Sequence, residues 1–253
     1  TSTAKVVKSA KCALVTYKIS GGYFVSPLWS EGGTRRGRIS GQVINIYTAE
    51  QIASMTTDEI KILINNDLYE DAYETISQSR TEYKSKNSAV RLESMMFYCP
   101  ECNAIDSLYS HNSTVTCKKC GHHFTIGNCG EIEGISLKST KEIFNWLIDK
   151  VNDDVSKNTE YTISNANVIT INHHSESIIH TGKVKINNSR LRFGSTVIEI
   201  SDIEDMNMHG KYAVLLSTKN DYFEIKVNSG TCALKLYLYY LALNNKLKSR
   251  FTF

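Results

Sequence analysis

Four cysteines in two closely spaced pairs are the residues of this chain best suited to chemistry. Cys99 and Cys102 form the first pair, and fourteen residues separate it from Cys117 and Cys120. Two residues between paired thiols let both sulfurs reach one ion from a single turn, and two such turns supply the four sulfur ligands that Zn²⁺ favours. Because four protein sulfurs leave no position for a catalytic water, the spacing predicts a structural zinc ribbon. Two disulfides are the alternative, and they require an oxidising compartment.

The remaining cysteines and the composition favour a reducing cytoplasmic setting. Cys12 and Cys232 stand in apolar surroundings and are predicted to be buried thiols, whereas Cys129 follows the ribbon as a spare ligand or a passive residue. The 253 residues are 41% apolar and 22% charged, with a net charge of +3, as in ordinary globular proteins. No apolar run reaches the ~18 residues of a membrane-spanning helix.

The elements before the ribbon are predicted from apolar spacing and capping residues. Residues 4–11 read as the end of a helix, residues 12–19 as a strand buried on both faces of a parallel sheet, and residues 39–47 as a second strand. Thr48 with Gln51, and Thr56 with Glu59, form capping boxes that begin two helices. Residues 77–94 are polar and read as a linker or an exposed helix.

The elements after the ribbon change character. Ser139 caps a short helix, and six short β runs follow at residues 168–171, 182–186, 190–193, 196–200, 212–218 and 222–227. A final helix, capped by Ser229, buries a face that includes Leu234 and Leu241. We therefore predict an α+β multidomain chain: a partial α/β segment over residues 1–95, a zinc ribbon over 96–130, and a PH-like β-barrel with a C-terminal helix over 131–253.

The first third of the chain resembles a known enzyme family. Residues 4–29, AKVVKSAKCALVTYKISGGYFVSPLW, and residues 35–39, RRGRI, are similar to the PlsC-type 1-acylglycerol-3-phosphate acyltransferases of Gram-positive bacteria. The resemblance continues through YTAEQI at residues 47–52 and the cysteine ribbon into the β-rich tail. It implies that the intact protein transfers a fatty acyl group from acyl-CoA or acyl-carrier protein to a lysophospholipid, at the inner face of the cell membrane.

The catalytic motif of that family is missing from this sequence. The family uses a His-x4-Asp motif, in which the histidine takes the hydroxyl proton of the acceptor and the aspartate orients the imidazole. None of the seven histidines has an aspartate five residues on, and Glu31-Gly32-Gly33-Thr34-Arg35 matches the family's Glu-Gly-Thr-Arg motif only by chance. We therefore expect a C-terminal portion of such an enzyme that is inactive alone.

The remaining candidate site is a basic loop. Arg35, Arg36 and Arg38 are predicted to bind a lipid phosphate or the anionic membrane surface, and a solvated loop without a ligand is the alternative. Trp29 and Trp146 are predicted to be core residues. The adjacent pairs His122-His123 and His173-His174 are predicted to be, respectively, loop residues beside the zinc ligands and an exposed hairpin.

A binding module of another class is the alternative function. Many zinc ribbons contact nucleic acid or protein, but nucleic-acid readers carry a dense basic face. Within the ribbon the cations Lys118 and Lys119 are set against Glu101 and Asp106, which argues against nucleic acid. A ribbon and barrel that only stabilise the enzyme are a third alternative.

Overall fold

The chain forms two compact units of mixed α and β structure. The computed structural model describes residues 2–30, 35–79, 81–172, 175–228 and 231–247. The first unit comprises Thr1–Pro27 and Gly33–Ser85, and the second comprises Leu28–Gly32 and Lys86–Phe253. The predicted boundaries at residues 95 and 130 both lie inside the second unit, and the division into three domains stays a prediction.

The first unit is a β-hairpin with helices. Its elements are α1 (Ser2–Ala10), β1 (Leu14–Ser20), α2 (Gly22–Val25), β2 (Ser40–Tyr47), α3 (Ala49–Ser54), α4 (Thr57–Leu68) and α5 (Ala72–Ser79). Both predicted capping boxes form: the side chains of Thr48 and Thr56 accept the backbone N–H of Gln51 and Glu59, which reciprocate through their own side chains. These local signals therefore place the starts of α3 and α4 correctly.

The prediction that β1 is buried on both faces is wrong. β1 pairs only with β2, antiparallel, in a two-stranded sheet of the described chain. One face packs on helices: Leu14 and Tyr47 contact the small core formed by Ala4, Ile52 and Ile60. On that face, Asp67 of α4 accepts hydrogen bonds from Thr16 Oγ1 at 2.7 Å, Asn45 Nδ2 at 2.8 Å and Tyr47 Oη at 2.9 Å. The other face is exposed, because a two-stranded sheet with helices on one side leaves its second side uncovered.

Residues 77–94 are not an exposed linker. Beyond α5 the chain buries Tyr83, Ala89 and Leu92, and a 3-10 turn spans Leu92–Ser94. In the second unit, Trp29 is 1% exposed and its indole Nε1 donates to the carbonyl of Ser88 at 3.0 Å. The hydroxyl of Ser88 in turn donates to the carbonyl of Ile126 at 2.6 Å. The stretch around Ser88 is thus held in the second unit by side-chain hydrogen bonds to the backbone carbonyls of Ser88 and Ile126.

The ribbon of the second unit is a four-stranded antiparallel sheet. Its strands are β3 (Leu108–His111), β4 (Thr114–Cys117), β5 (His123–Ile126) and β6 (Ile132–Glu133), paired in chain order. Its start is joined to the β domain, because Phe97 and Tyr98 belong to the same core as the strands that follow. The ring of Phe97 lies edge-on to that of Tyr161, 5.7 Å between centroids.

The β domain is a curled half-barrel. Its elements are α6 (Thr140–Ser156), β7 (Tyr161–Asn172), β8 (Ser175–Ile186), β9 (Arg190–Phe193), β10 (Thr196–Glu199), a 3-10 turn (Ile200–Asp202), β11 (Ile203–His209), β12 (Ala213–Thr218), β13 (Tyr222–Val227) and α7 (Leu234–Leu243). The sheet order is β10-β9-β8-β7-β13-β12-β11. Ser139 caps α6 as predicted. Ser229 lies outside the described residues, and α7 begins after Ala233.

Helix α7 is buried on all sides. Every residue from 234 to 242 is buried, so the predicted apolar stripe is only part of its contact surface. This includes Lys235, which is 0% exposed. Its ammonium donates to the carboxylate of Asp106 in the ribbon and to the carbonyl of Thr162 in β7, the latter at 2.6 Å. The buried ammonium of Lys235 on α7 therefore binds both the ribbon, through Asp106, and the half-barrel, through Thr162.

Candidate metal centre and basic loop

The four paired cysteines meet in space. Their sulfur atoms all lie within 4.8 Å of one another, with Cys99–Cys120 and Cys102–Cys117 each 3.8 Å apart. A tetrahedral zinc with Zn–S bonds of about 2.3 Å separates its sulfurs by about 3.8 Å, whereas a disulfide requires about 2.05 Å. All four are free thiols. The four sulfurs could therefore hold one metal ion, and their spacing fits a tetrahedral site.

Two similar turns place these sulfurs. Asn103 and Gly121, which each follow the second cysteine of a pair, have positive φ of 54° and 74°. Asn and Gly are the residues that adopt this left-handed conformation at least cost. The N–H of Asn103 donates to the carbonyl of Cys99 at 3.0 Å, and that of Gly121 to Cys117 at 2.9 Å. Each pair thus closes a single turn with both side chains on one side.

The protein surroundings bias one thiol toward its charged form. Burial raises the pKa of Cys117, but hydrogen bonds from the Ser107 hydroxyl, 3.2 Å away, and from the backbone N–H groups of Cys120 and Lys119 outweigh it, and the pKa falls to about 6. Burial raises the pKa of Cys99 to about 12. A cation shared by the four sulfurs favours the thiolate form of each, because metal ligation requires deprotonated sulfur.

The side chain of His122, beside the cluster, contacts a backbone carbonyl and a carboxylate. His122 Nε2 lies 2.8 Å from the carbonyl of Gly134 and 3.8 Å from a carboxylate oxygen of Glu101. The backbone N–H of His122 also bonds to the sulfur of Cys120. His122 is thus a loop residue beside the ligands, as predicted, whereas the same prediction is wrong for His123, which begins strand β5 and pairs with Thr116. His173 and His174 lie outside the described residues.

The three remaining cysteines differ in their surroundings. Cys12 is exposed, so its predicted burial is wrong: it lies in the short connection between α1, which ends at Ala10, and β1, which begins at Leu14. Cys232 is buried as predicted, its thiol donates to the carbonyl of Ser94 at 2.8 Å, and burial raises its pKa to about 12. Cys129 is half-buried, and its backbone N–H donates to a carboxylate oxygen of Glu131 at 2.7 Å.

The three arginines of the basic loop do not share one environment. Arg35 is 4% exposed, and burial lowers its pKa, although the nearby Tyr73 and Tyr23 act in the opposite direction. Arg36 and Arg38 are exposed. The backbone of Arg36 pairs with that of Lys84 through hydrogen bonds of 3.1 and 2.8 Å. The structure therefore places two of the three guanidinium groups at the surface, and their binding of substrate stays a prediction.

Tyr83 fixes this loop. Its hydroxyl donates to the carbonyl of Arg38 at 3.0 Å, and its ring lies against Gly37, where an added Cβ would come within 2.1 Å of the ring. Of the motif-like stretch before the loop, residues 31–34 lie outside the described residues. Trp29 is a core residue as predicted. Trp146 is only half-buried and packs against the core from outside, with its ring edge-on to Tyr98 and 6.3 Å between centroids.

The sequence did not predict one cluster on the half-barrel, in which a single carboxylate, Glu224, contacts two basic side chains. The side chain of Glu224 on β13 is buried, His209 Nδ1 lies 2.8 Å from its Oε1, and Lys226 Nζ lies 3.0 Å from its Oε2. Burial raises the pKa of Glu224, but the hydrogen bonds from Lys226 and His209 outweigh this, and the net shift is downward. The His-x4-Asp search missed this pair because His209 and Glu224 lie on different strands. Strand alternation was the only signal that could have placed them on one face.

We expect this cluster to contribute stability above about pH 4 and to lose it in acid. A carboxyl whose folded pKa is depressed stabilises the fold above its unfolded pKa of about 4.3, and the contribution disappears as pH falls through the folded value. Glu224→Gln should lower the free energy of unfolding by about 1 kcal/mol at pH 7, because the two cationic partners are largely exposed. Urea unfolding at pH 7 and pH 3 measures the effect, and a wild-type and variant that differ equally at both values would contradict it.

Comparisons with known proteins leave the class of this chain open. No family model and no curated protein matches it. Among solved structures, the N-terminal PH domain of human ARAP2 shares 13% identity and a TM-score of 0.27, covering 38% of this chain and 84% of that one. The C-terminal domain of an unknown protein from Leishmania infantum shares 17% identity and a TM-score of 0.24, covering 39% and 95%. Both likenesses are too weak to carry an argument. Among the described residues, no helix is both long and apolar enough to cross a membrane.

Proposed function

We propose that Cys99, Cys102, Cys117 and Cys120 bind one structural Zn²⁺. The observation that carries this proposal is the sulfur tetrahedron, with its two 3.8 Å edges and its two left-handed turn residues. With four thiolates bound, zinc keeps no open position for a water or a substrate. The ion therefore folds the ribbon, and the ribbon connects to the half-barrel through Phe97, Tyr98 and the Lys235–Asp106 pair.

We propose further that this chain is the C-terminal portion of a PlsC-type acyltransferase of phospholipid synthesis. The support is the sequence resemblance over residues 4–29 and 35–39, together with a ribbon and β domain in the expected order. Seven strands followed by one closing helix support the PH-like form of the last domain. In this proposal the chain does not catalyse; it contributes the basic loop, the metal-held ribbon and the half-barrel to an enzyme that acylates lysophosphatidate at the cytoplasmic face of the membrane.

The test is acyl transfer by the complete gene product and by this chain alone. We expect the reading frame upstream of Thr1 to encode a His-x4-Asp motif, and the complete product to transfer an acyl group from acyl-CoA or acyl-carrier protein to lysophosphatidate. The isolated chain should show no turnover. An upstream frame without the motif, or turnover by the isolated chain, would overturn the proposal.

A further inference from the structure

The hydroxyl group of Ser107 lies against the cysteine cluster. Its Oγ is 3.2 Å from the sulfur of Cys117 and 3.1 Å from the carbonyl oxygen of Ala104. Ser107 is 9% exposed and Cys117 is 1% exposed, so both partners of this contact are shielded from solvent. A hydroxyl carries a single proton. That proton therefore has two acceptors within reach, and one of them is a candidate metal ligand.

The backbone fixes Ser107 beside Cys117. The carbonyl of Ser107 accepts the N–H of Lys118 at 2.8 Å. The next residue, Leu108, lies opposite Cys117 in the ladder between strands β3 and β4. The preceding residue, Asp106, is anchored to helix α7 through its carboxylate. The hydroxyl is therefore presented to the sulfur by a stretch of chain that is held on both sides.

This hydroxyl is a donor that the cysteine turns themselves do not supply. In each turn the sulfur of the first cysteine, Cys99 or Cys117, accepts the backbone N–H groups of the residues two and three positions on. These bonds follow from the conformation of the turn and are the same for both pairs. Ser107 adds a third donor to Cys117 from outside the turn. The two halves of the cluster are therefore not equivalent.

Metal binding determines the direction in which the Ser107 hydroxyl donates. A metal-bound sulfur has lost its proton and can only accept a hydrogen bond. The hydroxyl then donates to Cys117 rather than to Ala104, because hydrogen bonds to a charged acceptor are roughly twice as strong as those between neutral groups. The carbonyl of Ala104 keeps a partner when this happens, since it also accepts the N–H of Cys99 at 3.0 Å.

We infer that Ser107 is a positioning residue of the metal centre, and that its hydroxyl donates to the metal-bound sulfur of Cys117. The inference rests on the proposed zinc site and adds to the four ligands a residue on which that site depends. The hydroxyl orients the sulfur and offsets part of the excess negative charge that four thiolates place around one divalent ion. Without it, a buried charged acceptor loses a donor that solvent does not replace.

The experiment is metal binding by the full chain and by three serine variants. Ser107→Ala removes the hydroxyl, and Ser107→Thr keeps it. Ser110→Ala is the matched control in the same ribbon, because the hydroxyl of Ser110 donates to Glu93 at 2.6 Å and accepts the N–H of Arg91 at 2.7 Å, and neither partner is a cysteine. Competition with a chromogenic chelator measures the Zn²⁺ affinity. Absorption of the Co²⁺-substituted proteins measures the sulfur-to-metal charge-transfer band.

We expect Ser107→Ala to bind Zn²⁺ about tenfold more weakly than wild type. Its Co²⁺ charge-transfer band should shift to lower energy, because a sulfur that has lost a hydrogen bond holds its lone-pair electrons less tightly. Ser107→Thr should keep the wild-type affinity and band. Ser110→Ala can lower the melting temperature of the ribbon, but it should leave the band in place, because its hydroxyl does not contact sulfur.

The outcomes separate this inference from the proposed metal site. A wild-type protein that binds neither Zn²⁺ nor Co²⁺ would overturn the metal site and the role of Ser107 together. Metal binding by wild type with an unshifted band in Ser107→Ala would overturn the role of Ser107 alone, even if the affinity fell, because the loss would then reflect the stability of the ribbon. A band in Ser107→Thr or Ser110→Ala that moves as far as that of Ser107→Ala would also overturn it.

Discussion

Removal of metal from the purified protein is expected to unfold the ribbon and to destabilise the whole second unit. Zinc supplies on the order of 10 kcal/mol of folding free energy in small four-thiolate sites. The ribbon shares Phe97 and Tyr98 with the core of the half-barrel, so its loss exposes apolar surface there as well. Elemental analysis should find one zinc per chain. Chelation, or Cys117→Ser, should abolish hydrogen-exchange protection over residues 96–130 and lower the melting temperature of the second unit.

The matched controls for metal loss are the cysteines outside the cluster. Cys12→Ser changes an exposed thiol, and Cys129→Ser a half-buried one, and neither residue belongs to the four-sulfur group. Both variants should keep one zinc and the wild-type melting temperature. A purified protein without stoichiometric metal, or with the four thiols linked as disulfides, would contradict the metal centre.

The largest effect of a single substitution away from the cysteines is expected at Asp106. Lys235 is 0% exposed, so a change that removes its carboxylate partner leaves a buried ammonium paired only with the carbonyl of Thr162. Breaking a buried ion pair in this way costs about 3–5 kcal/mol. Asp106→Asn is the sharpest variant, because Asn tolerates the positive φ of 53° at this position. Urea unfolding measures the loss in the free energy of unfolding.

A double-mutant cycle separates the charge from the shape of this pair. Lys235→Met replaces the stem with an apolar side chain and leaves Asp106, which is partly exposed, so it should cost less than Asp106→Asn. The double variant should recover part of the loss. Asp153→Asn, which breaks the exposed pair with Lys157, is the control and should change stability by no more than about 0.5 kcal/mol. An Asp106→Asn variant that behaves like this control would contradict the role of the buried pair.

The features that the sequence predicted correctly are those determined within a few residues. The capping boxes at Thr48 and Thr56 depend on side chains three positions apart, and the cysteine cluster depends on two short turns. The cap that Ser139 forms on α6 also depends on a residue three positions away, Glu142. Interactions between residues this close in sequence do not depend on what packs against the element. The residue types and their spacing are therefore enough to predict the caps and the cysteine turns.

The errors concern burial, which depends on partners distant in sequence. The apolar run of β1 has the composition of a doubly covered strand, but the described chain supplies helices to one face only. The polar strand β11, whose buried residues are only Ile203 and Met206, had too weak an alternation to be recognised. Helix α7 showed one stripe in sequence and is buried all round, because the half-barrel and α6 enclose it from several directions.

Trp29 has a practical consequence for dissecting this protein by gene truncation. The short stretch that contains it belongs to the second unit, while the chain on both sides of that stretch belongs to the first. A fragment that starts at Lys86 would lack the indole and leave a hole the size of a tryptophan beside Ser88, at a cost of about 3–5 kcal/mol. The second unit is therefore not a contiguous piece of the polypeptide, and its independent expression requires residues 28–32 to be supplied as a separate peptide or by permuting the termini.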